Sequence, residues 1–174
     1  MSVTEPAELA EEGKRLYAQG RFEEAAAVFE RATEGFTLGR MGTLAAETQN
    51  NRSVAHLRAG QADLALKAAL GTDLVFAGAG DTRKQAMALG NIAAAHEALG
   101  NSDEAVALYE RSAELFAQVG DSDLRSTVLK SAAAIDLKRG RVMESGLKMA
   151  SALDAVERPN LLQRALRSIL RPRQ

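Results

Sequence analysis

Glycine recurs at Gly20, Gly60, Gly100 and Gly140, a spacing of forty residues held along the whole chain. A period of that length means one supersecondary unit copied four times. Such a unit cannot bury its apolar face alone, so the copies must stack on one another. Other columns fall into the same register. Phe36, Phe76 and Phe116 align, with Val156 as the fourth member. Ala25, Ala65, Ala105 and Ser145 form a small-residue column, and Ala32, Thr72, Ser112 and Ala152 form another. Gly80-Asp81 matches Gly120-Asp121, whereas the first copy has Gly39 one position early.

Each unit reads as two helices. Alanine supplies much of the apolar content and only three prolines are present, both of which favour helix. Leu89 to Leu99 ends at Gly100, which suits the left-handed residue that closes a helix. Asn101 then offers a cap, with Asp103 and Glu104 as first-turn carboxylates. Ala105, Leu108, Tyr109, Ser112 and Phe116 follow at three- and four-residue steps, one stripe of an amphipathic helix. The spacing predicts pairs at 7–19 and 22–37, 43–59 and 62–77, 82–99 and 102–118, and 122–139 and 142–157. The first small column is expected to let the second helix of each pair approach the first. The second column is expected to do the same toward the next repeat. The chain thus reads as one all-α domain over 1–174, with repeats at about 6–40, 41–80, 81–120 and 121–158. A further helix is expected at 159–171, where Leu161, Leu162, Ala165, Leu166, Ile169 and Leu170 share a face with Arg164, Arg167 and Arg171 largely off it. It is expected to cap the last repeat, because solenoid ends need a polar outer face.

Gly13 to Ala25, continuing through Phe29 to Ala32, resembles a nearly complete tetratricopeptide repeat (TPR) consensus. Asn91 to Gly100, continuing through Ala105 and Tyr109, is a second good match. The units near Gly42 and Ser122 are weaker, since Ala69 and Met149 replace an aromatic. The usual TPR unit is about 34 residues; the longer period here resembles the long-helix branch of that family. The resemblance implies a right-handed superhelical solenoid of four antiparallel helix pairs, whose first helices line a concave groove. It also implies a protein–protein interaction scaffold holding a peptide or partner helix there. The groove positions it implies are Lys14 and Tyr17, then Glu47, Asn50, Asn51, Val54 and Arg58. Met87, Asn91, Ala94 and Glu97 follow in the third repeat, and Thr127, Lys130, Ser131, Ala134 and Lys138 in the fourth. Asn51 and Asn91 stand one repeat apart, and an amide carries both donors and an acceptor, so it can bond a peptide backbone without demanding a sequence. The family's carboxylate clamp is not matched: Ala10, Lys14, Asn51, Met87 and Asn91 occupy its five places, and only Asn51 fits.

Other classes of activity find little support. Net charge is −1 with a pI near 6.2, which offers no general attraction to nucleic acid or an anionic membrane. Cysteine is absent, removing disulfides, thiolate metal sites and a cysteine nucleophile together. His56 and His96, the two histidines, also stand one repeat apart and match Leu16, so they are expected to pack within their own repeats and not to bind a metal. Gly78 to Lys84 superficially resembles a phosphate loop, but it follows a helix and lacks the terminal Gly-Lys-Ser/Thr. It reads as a turn. No nucleophile–base set appears, so neither enzymatic activity nor a cofactor is expected. Met1 to Pro6 has neither the basic nor the apolar region of a secretory leader, and a cytoplasmic location is expected. The alternative role is self-assembly as a homo-oligomer. Residues 1–50 hold nine acids against five bases, while Lys138 onward holds nine bases against three acids, so a head-to-tail contact weakened by salt is one form it takes.

Overall fold

The computed structural model describes residues 5–156. Helices occur in antiparallel pairs: α1 (Pro6–Ala18) with α2 (Phe22–Leu38), α3 (Gly42–Arg58) with α4 (Ala62–Ala69) and α5 (Thr72–Gly78), α6 (Thr82–Ala98) with α7 (Ser102–Gln118), and α8 (Ser122–Lys138) with α9 (Val142–Ala155). Each helix packs on the one before and the one after, with α4 and α5 together filling one place between α3 and α6, which makes an all-α solenoid. The helix expected at 159–171 lies outside the described residues.

The glycine ladder takes the role its spacing implies. Gly20, Gly60, Gly100 and Gly140 all have φ between 75° and 81°, and Gly80 and Gly120 close the other turns in the same way. At the first of these turns the Arg21 amide bonds the Leu16 carbonyl and the Gly20 amide bonds that of Tyr17, a Schellman closure that satisfies otherwise orphaned carbonyls. The first inter-repeat turn departs from the pattern. Gly39 sits at φ −74°, and Arg40 adopts the left-handed conformation at φ 56°.

The continuous helix expected at 62–77 is broken. Leu70 leaves the helical region and Gly71 turns left-handed at φ 82° before α5 begins. The corresponding residues are Arg31, Arg111 and Ser151, so glycine alone at this register permits the break. The Thr72 hydroxyl secures it by donating to the Ala69 carbonyl at 2.7 Å.

Both small columns are buried, from Ala25, Ala65 and Ala105 to Ala32, Thr72, Ser112 and Ala152. The second column, however, does not point at the next repeat alone. Ser112 donates to the Ala86 carbonyl of α6, just as Ser145 of the first column reaches the Ala133 carbonyl of α8. The two columns lie seven residues apart, about two helical turns, so they share one face toward the same partner helix. Phe29, Phe76 and Phe116 are nearly fully buried behind that stripe. Gly13 lets α1 close onto α2, since a Cβ there would lie 2.7 Å from the Phe29 ring.

Candidate functional site

The first helices α1, α3 and α6 carry most of the lining of three adjoining cavities. One of about 140 Å³ is lined by Lys14, Tyr17, Phe29, Asn51 and Val54. A second, of about 220 Å³, runs between Ala10, Lys14, Leu44, Glu47 and Asn51 over Phe36. The third, of about 320 Å³, joins Glu47, Asn51 and Val54 to Arg83, Lys84, Met87 and Asn91 over Phe76. Asn51 borders all three.

Hydrogen bonding separates the asparagines. Asn51 is half-buried and bonds no other described residue, so its whole amide faces the cavities. Asn50 is buried, and its Oδ1 faces the Thr72 hydroxyl at 3.2 Å and the Asn91 amide nitrogen at 3.4 Å. That pairing turns Asn50 into a brace for Asn91, whose Oδ1 stays open to the third cavity.

The cations near these cavities already have partners. Lys14 Nζ lies 2.7 Å from Glu11, and Arg83 Nε lies 2.9 Å from Asp121. Lys84 Nζ lies 2.9 Å from Glu47 and 5.9 Å from the centre of the Phe76 ring. The hydrogen bond to Glu47 holds the Lys84 ammonium above its usual lysine range. Lys84 escapes a reading of the groove by resemblance, although its spacing to Met87 and Asn91 (three and seven residues) puts all three on one helix face.

Of the remaining expected positions Tyr17 shares the first cavity with Asn51, whereas Arg58, Lys130 and Ser131 line none of the three. Arg58 stacks its guanidinium over Phe22 at 5.1 Å, and Tyr17 meets the same ring edge-on at 5.2 Å, an apolar clasp at the turn end of the first two repeats. Lys130 and Ser131 lie on α8. Ser131 bonds the buried Tyr109 phenol, which donates in turn to Glu97 at 3.0 Å. Burial, and then the Glu97 charge, push that phenol up and keep it a neutral donor.

The histidine register is structural in all four repeats. Leu16, His56, His96 and Asp136 occupy equivalent places, and the last three each bond the residue five positions on, across the turn. His56 Nδ1 lies 2.7 Å from Gln61 Oε1, and His96 Nδ1 lies 3.3 Å from Asn101 Nδ2. The Asn101 side chain, expected to cap α7, makes no cap bond because His96 engages it. Asp121 does cap α8, accepting from the Leu124 amide. Asp136 is fully buried and holds Arg141 at 2.5 Å together with Lys148, which also pairs with Glu110 at 2.9 Å. Burial alone would raise the Asp136 carboxyl, but the bonds from Lys148 and Arg141 outweigh it and hold it below the usual carboxylate range.

A tetratricopeptide-repeat family model matches residues 84–142. Over that stretch the sequence is that of a tetratricopeptide repeat. In structure it is similar to BtubC (BKLC) from P. vanneervenii, with a TM-score of 0.74 at 14% identity, over 91% of this chain and 68% of that one. At that identity the likeness shows the fold alone. No curated protein matches by sequence. TPR units generally mediate protein–protein interaction, a role carried by their surfaces and not by the fold as such. Among the described residues no helix is long and apolar enough to cross a membrane.

Proposed function

We propose that the four repeats act as one module that holds an extended peptide segment of a partner protein along α1, α3 and α6. The observation that carries this reading is the unpaired Asn51 amide at the junction of three cavities, with the open Asn91 carbonyl beyond it. An amide pair of this kind bonds a peptide backbone irrespective of its side chains. The walls contributed by Tyr17, Val54 and Met87, over Phe29 and Phe76, suit apolar ligand side chains. Because Lys14, Arg83 and Lys84 are neutralised by Glu11, Asp121 and Glu47, the site favours an uncharged segment over an anionic tail.

The test is peptide selection from a displayed random library, followed by calorimetry on the selected peptides. Replacing Asn51→Ala with Asn91→Ala together should weaken binding about tenfold or more, since each lost hydrogen bond is worth roughly 1 kcal/mol. Thermal melting run alongside should move little for Asn51→Ala alone, because Asn51 bonds no other described residue. Asn91→Ala also gives up the bond to Asn50 and should cost about 1 kcal/mol of stability. Unchanged affinity in the double variant would remove the amide mechanism.

A further inference from the structure

The second element of the second repeat breaks a rule that the first and third repeats keep, and that the fourth keeps at two of three places with Glu144 and Asp154. Its registers Leu64, Leu70 and Leu74 correspond to Glu24, Glu30 and Glu34 in the first repeat and to Glu104, Glu110 and Glu114 in the third. Each of the three leucines is exposed, Leu74 to 70%, and Val75 beside it is 40% exposed. From Ala68 to Gly80 the one charged residue is Asp73. An apolar strip therefore runs between two acidic ridges on α2 and α7. Glu30 and Glu110 are engaged by Arg52 and Lys148, but Glu34, Glu104 and Glu114 are exposed and make no ion pair with any described residue.

A complement to this surface is written in the same chain. Residues 158–174 hold five arginines and no acid, and Leu161, Leu162, Leu166, Ile169 and Leu170 recur there at helical spacing. An apolar stripe flanked by Arg164, Arg167 and Arg171 matches an apolar strip flanked by glutamates. The last described residue, Val156, follows α9, which packs on α8 and not on α5. Between α5 and α9 stand α6, α7 and α8, packed in succession at about 8–10 Å per step. Residues 157–159, which lead from α9 to the tail, span only about 10 Å when extended.

We infer that the Leu70–Leu74–Val75 surface binds the 159–171 segment of a second copy of this chain, so that the protein self-associates through its convex side and leaves the α1–α3–α6 groove free. Such a contact joins two different surfaces, so it closes as a reciprocal dimer or extends as an open chain.

Sedimentation of the full chain across a wide concentration range tests this. The untouched protein should form species larger than a monomer, and added salt should weaken them. The variant Leu70→Glu/Leu74→Glu restores the residues that repeats one and three already tolerate, so its helical circular dichroism should be unchanged. It should weaken association at least about tenfold. Reversing Arg164→Glu, Arg167→Glu and Arg171→Glu should do the same from the other side. A monomer at every concentration would overturn the inference. So would association that survives Leu70→Glu/Leu74→Glu, or that is lost instead with Met143→Glu/Leu147→Glu on the exposed face of α9.

Discussion

Arg40 shows how a single residue carries a structural cost at an otherwise regular turn. Every other inter-helix turn places glycine in the left-handed conformation, and here an arginine stands at φ 56°. The left-handed region costs a Cβ-bearing residue about 1–2 kcal/mol, partly offset by the entropy that glycine loses on folding. Arg40→Gly should therefore stabilise the protein by about 0.5–1 kcal/mol, measured as a raised denaturant midpoint at constant slope. An unchanged or lowered midpoint would show that the Arg40 side chain contributes more than its backbone costs. The His56, His96 and Asp136 register carries the same lesson. One position, with one partner five residues on, is filled by three chemistries according to what the turn offers.

The second helix of repeat two, divided into α4 and α5, is the element that most departs from its siblings. Its break depends on Gly71 holding φ 82° and on the Thr72 hydroxyl capturing the Ala69 carbonyl. Gly71→Ala should cost about 1–2 kcal/mol, because the new Cβ disfavours that conformation. The alternative outcome is specific. If the two pieces fused into one helix, helical circular dichroism would rise with no loss of melting temperature. The exposed Leu70 and Leu74 flank this break, so the odd element and the odd surface coincide in the sequence.

In the whole molecule, stability is close to a sum of repeats and of the interfaces between neighbours. The charged network around Asp136 ties the last repeat to the third, with Lys148 reaching Glu110 of α7 and with Arg139 and Arg141 paired to Asp103 of the same helix. The carboxyl of Asp136 is held low in the folded state, so its contribution is complete above the unfolded carboxylate value near 4 and is lost as pH falls through the lower folded one. Acid should accordingly loosen α8 and α9 before α1 and α2, seen as faster amide exchange in the last repeat. Asp136→Asn should cost about 3 kcal/mol at neutral pH, since it leaves a buried cation short of its partner, and it should flatten the acid limb of stability. Uniform exchange along the solenoid on acidification would count against this network as the weak joint.

The forty-residue ladder by itself determined the number of units, the pairing of helices and the turn positions, because a left-handed turn at fixed spacing is a local requirement met by local residues. It also determined that Asn51 and Asn91 share a face, since register sets direction along a helix. Which asparagine stays free is a different matter. Asn50 also borders the third cavity, but its Oδ1 is taken by Thr72 and Asn91, contacts 22 and 41 residues distant in sequence, and neither leaves a mark in the period. The neutralisation of Lys84 by Glu47 and the capture of Asp136 by Arg141 and Lys148 were decided in the same way. Desolvation and pairing are settled only when neighbouring helices close on one another. The spacing fixes where each side chain stands, and the packing decides whether it is left with anything to offer.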